Sequence, residues 1–187
     1  MNNSSNNKYE VVNENDEVIG LEDKETILEK GLLRRVIHIW FFTPNGEVIF
    51  QHRSPDKDIF PDVLDYAVGG KVEAGATYLD TAIAEALEET GVAVSAEELI
   101  PIEKFRFDFV DGKSGFRNNI FAMQYAYCYR GKLEDLVPEA GKILRFEAWP
   151  IDKLLNLTKE EEKKFIKEAL ESREFKKALE VIKGLIN

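Results

Sequence analysis

Residues 70–92 read GKVEAGATYLDTAIAEALEETGV, and Gly69 precedes them. The pair Gly69-Gly70 ends a short apolar run, a glycine-bearing loop Lys71-Val72-Glu73-Ala74-Gly75 follows, and a helix is predicted over 77–90. Thr77 is a natural N-cap, Asp80 completes a capping box, and Gly91 stands where a helix stops. Within that helix Leu79, Ile83, Ala86 and Leu87 form an apolar stripe, so Glu85, Glu88 and Glu89 are expected on the other side. Carboxylates at i, i+3 and i+4 repel by about 0.2–0.5 kcal/mol per pair even in water, and a bound cation reverses that cost. A solvated acidic face explains three glutamates on an arbitrary helix. Their setting beside a glycine turn suits a hard cation better, because the Gly69 carbonyl and carboxylates on a rigid helix offer the oxygen donors that Mg²⁺ or Mn²⁺ takes.

Working outward, the pattern is α/β. Upstream lie a strand near Leu64–Val68, a proline-bearing loop over 54–62, and a hairpin of 33–42 with 47–51 turning at Thr43-Pro44-Asn45-Gly46. Farther upstream come a short hairpin, Tyr9–Val12 with Val18–Leu21, and a helix from Asp23 to Gly31. Downstream, paired strands are predicted at 105–110 and 119–129 around the turn at 111–115, and a last strand at 145–150. Two amphipathic helices, 159–171 and 173–186, close the chain. The expected organisation is a disordered Asn/Ser-rich tail at 1–8, one domain over 9–157, and a helical extension over 158–187 packed on the same domain.

The 187 residues carry 35 acidic and 25 basic side chains, a formal charge of −10. That field disfavours nucleic-acid polymers and anionic membranes as partners. It also repels a small phosphorylated substrate unless local basic groups or a divalent ion reverse its sign at the site. A single cysteine, Cys128, leaves no internal disulfide, so a reducing compartment, the cytoplasm by default, is expected. No apolar run reads as a signal peptide or membrane span.

The stretch 70–92 resembles the signature box of the Nudix superfamily, G-x5-E-x7-R-E-U-x-E-E-x-G-U, where U is aliphatic. Gly70, Glu85, Glu88, Glu89, Gly91 and Val92 occupy their motif positions, while the first Glu falls on Ala76, the Arg on Ala84, and Ala86 stands at an aliphatic position. Segments 14–20, 51–54 and 57–61 look like those of the branch that includes isopentenyl-diphosphate isomerases and their hydrolase-like relatives. The likeness spans about residues 10–155, and implies an α/β/α sandwich with a mixed sheet. It further implies hydrolysis of a small molecule in which a diphosphate is linked to another moiety, assisted by Mg²⁺ or Mn²⁺. By motif position Glu85 is a metal ligand or general base, and Glu88 and Glu89 are metal ligands, with the Gly69 carbonyl beside them. The two alanines remove an acid and its positive partner, which weakens the site and leaves a binding or regulatory protein without turnover as the second reading. An isomerase is a third, disfavoured because that family's Cys and His before the box are absent from Asp65–Gly70 and its other His is replaced by Arg34.

Arg53 and Lys57 are expected to contact the distal diphosphate, and Phe60-Pro61 to pack the loop between them and the box. His38 and His52 read as ordinary histidines rather than ligands. The alternation Phe121, Met123, Tyr125, Tyr127, Tyr129 serves core packing or a homodimer interface. Glu139 is a candidate late ligand or base, and Cys128 a packed small residue.

Overall fold

The computed structural model describes residues 8–57, 59–110, 115 and 117–186. Residues 1–7 of the tail expected at 1–8, and residues 111–114 of the expected turn, lie outside them. The central strand, β3 (Arg34–Phe42), is apolar along almost its whole length because both of its faces are covered. Ile37, Ile39 and Phe41 point to one side, and Trp40 and Phe42 to the other; all five are buried.

One edge of β3 runs parallel to β8 (Arg117–Cys128), from Arg34↔Ile120 to Phe42↔Cys128. The other edge is divided. Val36–Ile39 pair antiparallel with β6 (Val68–Lys71), whereas Phe41 and Phe42 pair with β4 (Glu47–Arg53). Two strands that leave one edge at different heights must diverge, and β4 turns away to pair with β5 (Leu64–Tyr66) and β9 (Ile143–Pro150). On the far side β7 (Ile100–Val110) extends β8, and the amino-terminal hairpin of β1 (Tyr9–Val12) and β2 (Val18–Glu22) reaches β3 through Val11↔Arg34. Among the described residues this makes a mixed sheet of nine strands.

Helix α1 (Lys24–Lys30) is capped by Asp23 and stopped by Gly31, as expected. Helix α2 (Tyr78–Thr90) lies over Ile37, Ile39 and Phe41, and its Ala82 and Ala86 are fully buried there. Short α3 (Ile151–Leu154) and long α6 (Arg173–Ile186) cover the opposite face. There Phe175, Ala178, Leu179 and Ile182 of α6 pack on the Trp40 side, and the Phe175 and Trp40 rings meet edge to face at 5.2 Å. The result is the α/β/α sandwich with a mixed sheet that the resemblance implied, with the carboxy-terminal helices expected from their periodicity packed on one face. Tyr125, Tyr127 and Tyr129 are buried in the α2-side core, so the aromatic alternation serves core packing.

Several boundaries differ from the sequence reading. The glycines 69 and 70 lie inside β6 rather than ending a strand, because the run 64–68 changes partner at Ala67: β5 pairs with β4 and β6 with β3. β7 begins at Ile100, five residues before the expected 105, with its irregular register between Pro101 and Glu103 masking the periodicity. The helix expected at 159–171 is two single turns, α4 (Lys159–Glu162) and α5 (Lys167–Leu170). Between them Phe165 is drawn into the core beside Phe50 and Trp149, where it bridges to Leu64. Burying that ring outweighs the few hydrogen bonds that one more helical turn supplies.

Candidate active site

Helix α2 starts and stops where its sequence says. Thr77 accepts from the Asp80 N–H at 3.1 Å, Asp80 accepts in return from the Thr77 N–H at 3.2 Å, and Gly91 closes the helix at φ 72°. Of the expected stripe, Ala86 is buried and Leu79 and Ile83 pack against the core, but Leu87 does not. Leu87 is exposed, and the residues turned to the sheet are Ala82, Ala86, Glu89 and Thr90. The small alanines let the helix axis approach β3 and β6, and that approach carries the Glu89 carboxylate into the divergence between β4 and β6.

The three glutamates therefore occupy three environments. Glu89 is only 6% exposed; its Oε2 accepts from the Gly69 N–H of β6 at 2.9 Å and from Gln51 Nε2 of β4 at 3.4 Å. Burial pushes it up to about 8, against the pull of the Gly69 bond, with Glu85, Asp65 and Glu139 adding to the rise. Glu85 is half-buried and lies directly on Gly70: a Cβ at that glycine would meet Glu85 Cγ at 2.4 Å and Oε1 at 2.6 Å. Burial, then Glu88, holds Glu85 at about 7. Glu88 is exposed and 3.5 Å from Lys142 Nζ, which also pairs with Glu139 at 2.6 Å. The other Glu139 oxygen is buried with no hydrogen-bond partner.

Mutually repelling carboxylates, two of them held well above their ordinary range, with an unpartnered buried oxygen nearby, form a donor set that a divalent cation suits. Among the described residues no three Asp, Glu, His or Cys side chains stand close enough to hold an ion by themselves. Mg²⁺ commonly binds through one or two carboxylates and completes its shell with water and phosphate oxygens, so this spread arrangement fits it.

The loop before α2 is tied down by the amino-terminal hairpin. Glu10 accepts from the Gly75 N–H at 3.0 Å through one oxygen and from Arg35 at 2.9 Å through the other. Asp16 receives Arg35, Lys104 and the Tyr78 hydroxyl, which fixes the hairpin turn against the first turn of α2. These contacts join segments far apart in sequence and were not foreseen.

Behind β6, on the face of β3 opposite α2, opens a cleft of about 220 Å³. Its lining includes Gly69, Gly70, Arg34, Lys71, His38 and Phe105. The same two glycines meet the carboxylates of α2: Gly70 lies against Glu85, and the Gly69 N–H donates to Glu89.

The family model for the NUDIX domain matches residues 32–169. The chain belongs to the Nudix family. An uncharacterized Nudix hydrolase of Streptomyces coelicolor is 36% identical over 101 residues, covering 54% of this chain and 53% of that protein. A Nudix hydrolase of Deinococcus radiodurans is 34% identical over 101 residues, covering 54% and 59%. The chain thus spans little more than half the length of these two relatives. Among solved structures, DR0079 from Deinococcus radiodurans superposes with a TM-score of 0.62 at 27% identity, covering 79% of this chain and 86% of its own. The NUDIX domain of Shewanella oneidensis NrtR, complexed with ADP ribose, shares the fold at TM-score 0.58 and 14% identity, covering 80% and 88%. The Streptomyces coelicolor and Deinococcus radiodurans relatives carry hydrolase names, and the isomerase-like branch gains no support from them.

The other expected residues of the Nudix domain sort by position. Arg53 lines the cleft, and each of its three guanidinium nitrogens donates one bond, to the carbonyls of Ile59 and Phe60 and to Asp65, so it also braces residues 59 and 60 against β5. Lys57 lies within the fields of Glu89 and Glu139, and burial followed by Arg53 and Lys142 lowers its basicity. Phe60 stacks on Phe109 at 5.7 Å, the packing role expected of it. His38 stacks on Tyr66 at 4.0 Å, and burial pushes it down to about 4. His52 sits 2.9 Å from Asp62, away from α2. Ala76 packs on the α2-side core, and Ala84 is exposed. Cys128 is half-buried against the α6-side core, as a packed small residue. Sequence reasoning missed Arg34 and Lys71 as cleft residues. The charged pair Arg34-Arg35 opening a strand that is apolar from Val36 except at His38 was the available signal for Arg34.

Proposed function

We propose that this Nudix domain hydrolyses a small molecule in which a diphosphate joins two moieties, with Mg²⁺ or Mn²⁺ held by Glu85, Glu88 and Glu89 beside the Gly69 carbonyl. The observation that carries the reading is the Glu89 carboxylate, buried between diverging strands and held by the Gly69 N–H, with a cleft of about 220 Å³ lined by the same glycine and its neighbour Gly70. When bound, the divalent ion would neutralise phosphate charge and acidify an attacking water.

The chain's own groups have distinct tasks. Gly69 and Gly70 let phosphate oxygens approach the backbone, and Gln51 with the Gly69 N–H fixes the orientation of Glu89. Glu85 lies against Gly70, where it serves as a ligand to the ion or, if it stays outside the coordination shell, as the base that takes the proton of the attacking water. Lys57 offsets the negative field where the diphosphate enters, while Arg53 shapes the loop that presents it. The substrate is a free small molecule rather than a nucleic acid or a membrane component, in keeping with the charge of −10. No helix of the described residues is long and apolar enough to cross a membrane.

The test is release of phosphate-containing products from a panel of diphosphate-linked metabolites with Mg²⁺, with Mn²⁺ and with chelator, comparing the parent with Glu89→Gln. Metal-dependent turnover that disappears in the variant supports the reading. Absence of turnover across the panel, with ligand binding retained, would replace it with a binding protein that has lost catalysis along with the acid at 76 and the arginine at 84.

A further inference from the structure

Arg34 opens β3 on the cleft side, where it is only 7% exposed. Its Nη2 donates to Asn118 Oδ1 of β8 at 2.7 Å, while Nη1 is buried with no hydrogen-bond partner. No carboxylate among the described residues pairs with it. A guanidinium taken out of water without a counter-charge is costly to the fold, and a chain retains one most readily where a ligand supplies the missing anion. Lys71 lines the same cleft, its ammonium over the Tyr9 ring at 5.4 Å and with no ion pair among the described residues. Between Arg34 and the mouth at Gly69, the wall is apolar and aromatic: Val36, Phe105, Phe107, Ile120 and the His38–Tyr66 stack.

The spacing separates this cationic end from the diphosphate position. Gly70, on which Glu85 lies, pairs with Ile37. Arg34 is three residues farther along β3, about 10 Å at strand rise, with its side chain on the other face of the sheet. A single diphosphate at the carboxylates does not reach it.

We infer that Arg34, oriented by Asn118 and assisted by Lys71, forms a second anion subsite that takes a phosphate group carried by the substrate beyond its diphosphate, with the apolar wall enclosing the moiety between them. The inference rests on the proposed hydrolysis, and narrows its substrates to those bearing a separate terminal phosphate.

The probe is inorganic phosphate, added to the chelated full chain and read as a shift in melting temperature. We expect the parent to gain about 3–6 °C at saturating phosphate. Glu89→Gln should keep that gain, Arg34→Lys should keep part of it, and Arg34→Met should lose it while folding at least as stably, since the variant buries no unpaired charge. In turnover, substrates with the extra phosphate should show a KM lower by about 10–100-fold than the same compounds without it, a preference that Arg34→Met abolishes with kcat little changed. Should Arg34→Met fail to fold, Asn118→Ala, which frees the guanidinium from its one anchor, should cut the phosphate gain instead. Equal stabilisation of parent and Arg34→Met, or no stabilisation of the parent, overturns the subsite whatever the panel shows. Phosphate binding that needs Arg34 in a protein that turns nothing over keeps the subsite and removes the hydrolase reading.

Discussion

Glu89→Gln should make the metal-free protein more stable, and only on the alkaline side. The carboxylate rises from 4.5 to about 8 on folding, so the folded chain takes up a proton there that the unfolded chain has released. The parent therefore has its full stability below about pH 4.5 and loses part of it as pH climbs to 8 and above. At about 1.4 kcal/mol per pH unit the ceiling is near 5 kcal/mol. Polarisation around the open strand gap reduces the expected difference to about 2–3 kcal/mol. Glutamine keeps an oxygen for the Gly69 N–H and gives up only the charge. For a chain of this size the gain is about 5–10 °C in melting temperature at pH 9, vanishing near pH 5. The assay is paired thermal melts in chelator across pH 5–9, repeated with Mg²⁺, which should raise the parent at high pH and leave the variant unmoved. Parallel curves for the two proteins would refute the account of Glu89 as a buried charge awaiting a cation.

Three further outcomes follow from the packing. Gly70→Ala drives a methyl into the Glu85 carboxylate; turnover should fall at least about 10-fold with a melting temperature within a few degrees of the parent, and unchanged kcat would show that the position of Glu85 is immaterial. Phe175→Ala should cost about 3–5 kcal/mol in denaturant unfolding, because the ring fills the space against Trp40; a loss under about 1 kcal/mol would mean that α6 is not part of the core. Ala76→Glu and Ala84→Arg should improve metal-dependent turnover more together than the product of their separate effects, and simple additivity would show that they do not form a pair.

Much of this was legible in the sequence where the signal is local. The caps Thr77 and Gly91, the 43–46 turn and the spacing of Glu85, Glu88 and Glu89 are each decided within a few residues, and all are where the pattern put them. The environment of each glutamate was not legible, because Glu89 is buried by a gap that exists only once β4 and β6 leave the same edge of β3. Leu87 reads as core by periodicity, yet it is exposed because close approach to the sheet is achieved by alanine rather than leucine. The break at Phe165 likewise depends on Leu64, a hundred residues earlier. Arg34 was not read as a cleft residue because a charge at a strand end is ordinarily solvated, and its burial is contributed by neighbouring strands such as β8, whose Asn118 holds it.

The cleft is built from two parts of the chain with different duties. Its floor, β3 and β6, is continuous with the box, so any change there disturbs the carboxylates. One wall comes from Ile166, Ala169 and Ser172, in the broken carboxy-terminal segment that Phe165 fastens to Leu64. That wall touches none of the box glutamates. Substitutions along 166–172 are therefore expected to reshape what the cleft admits while sparing the proposed hydrolysis, which makes this short segment the natural place to alter selectivity by evolution or by design.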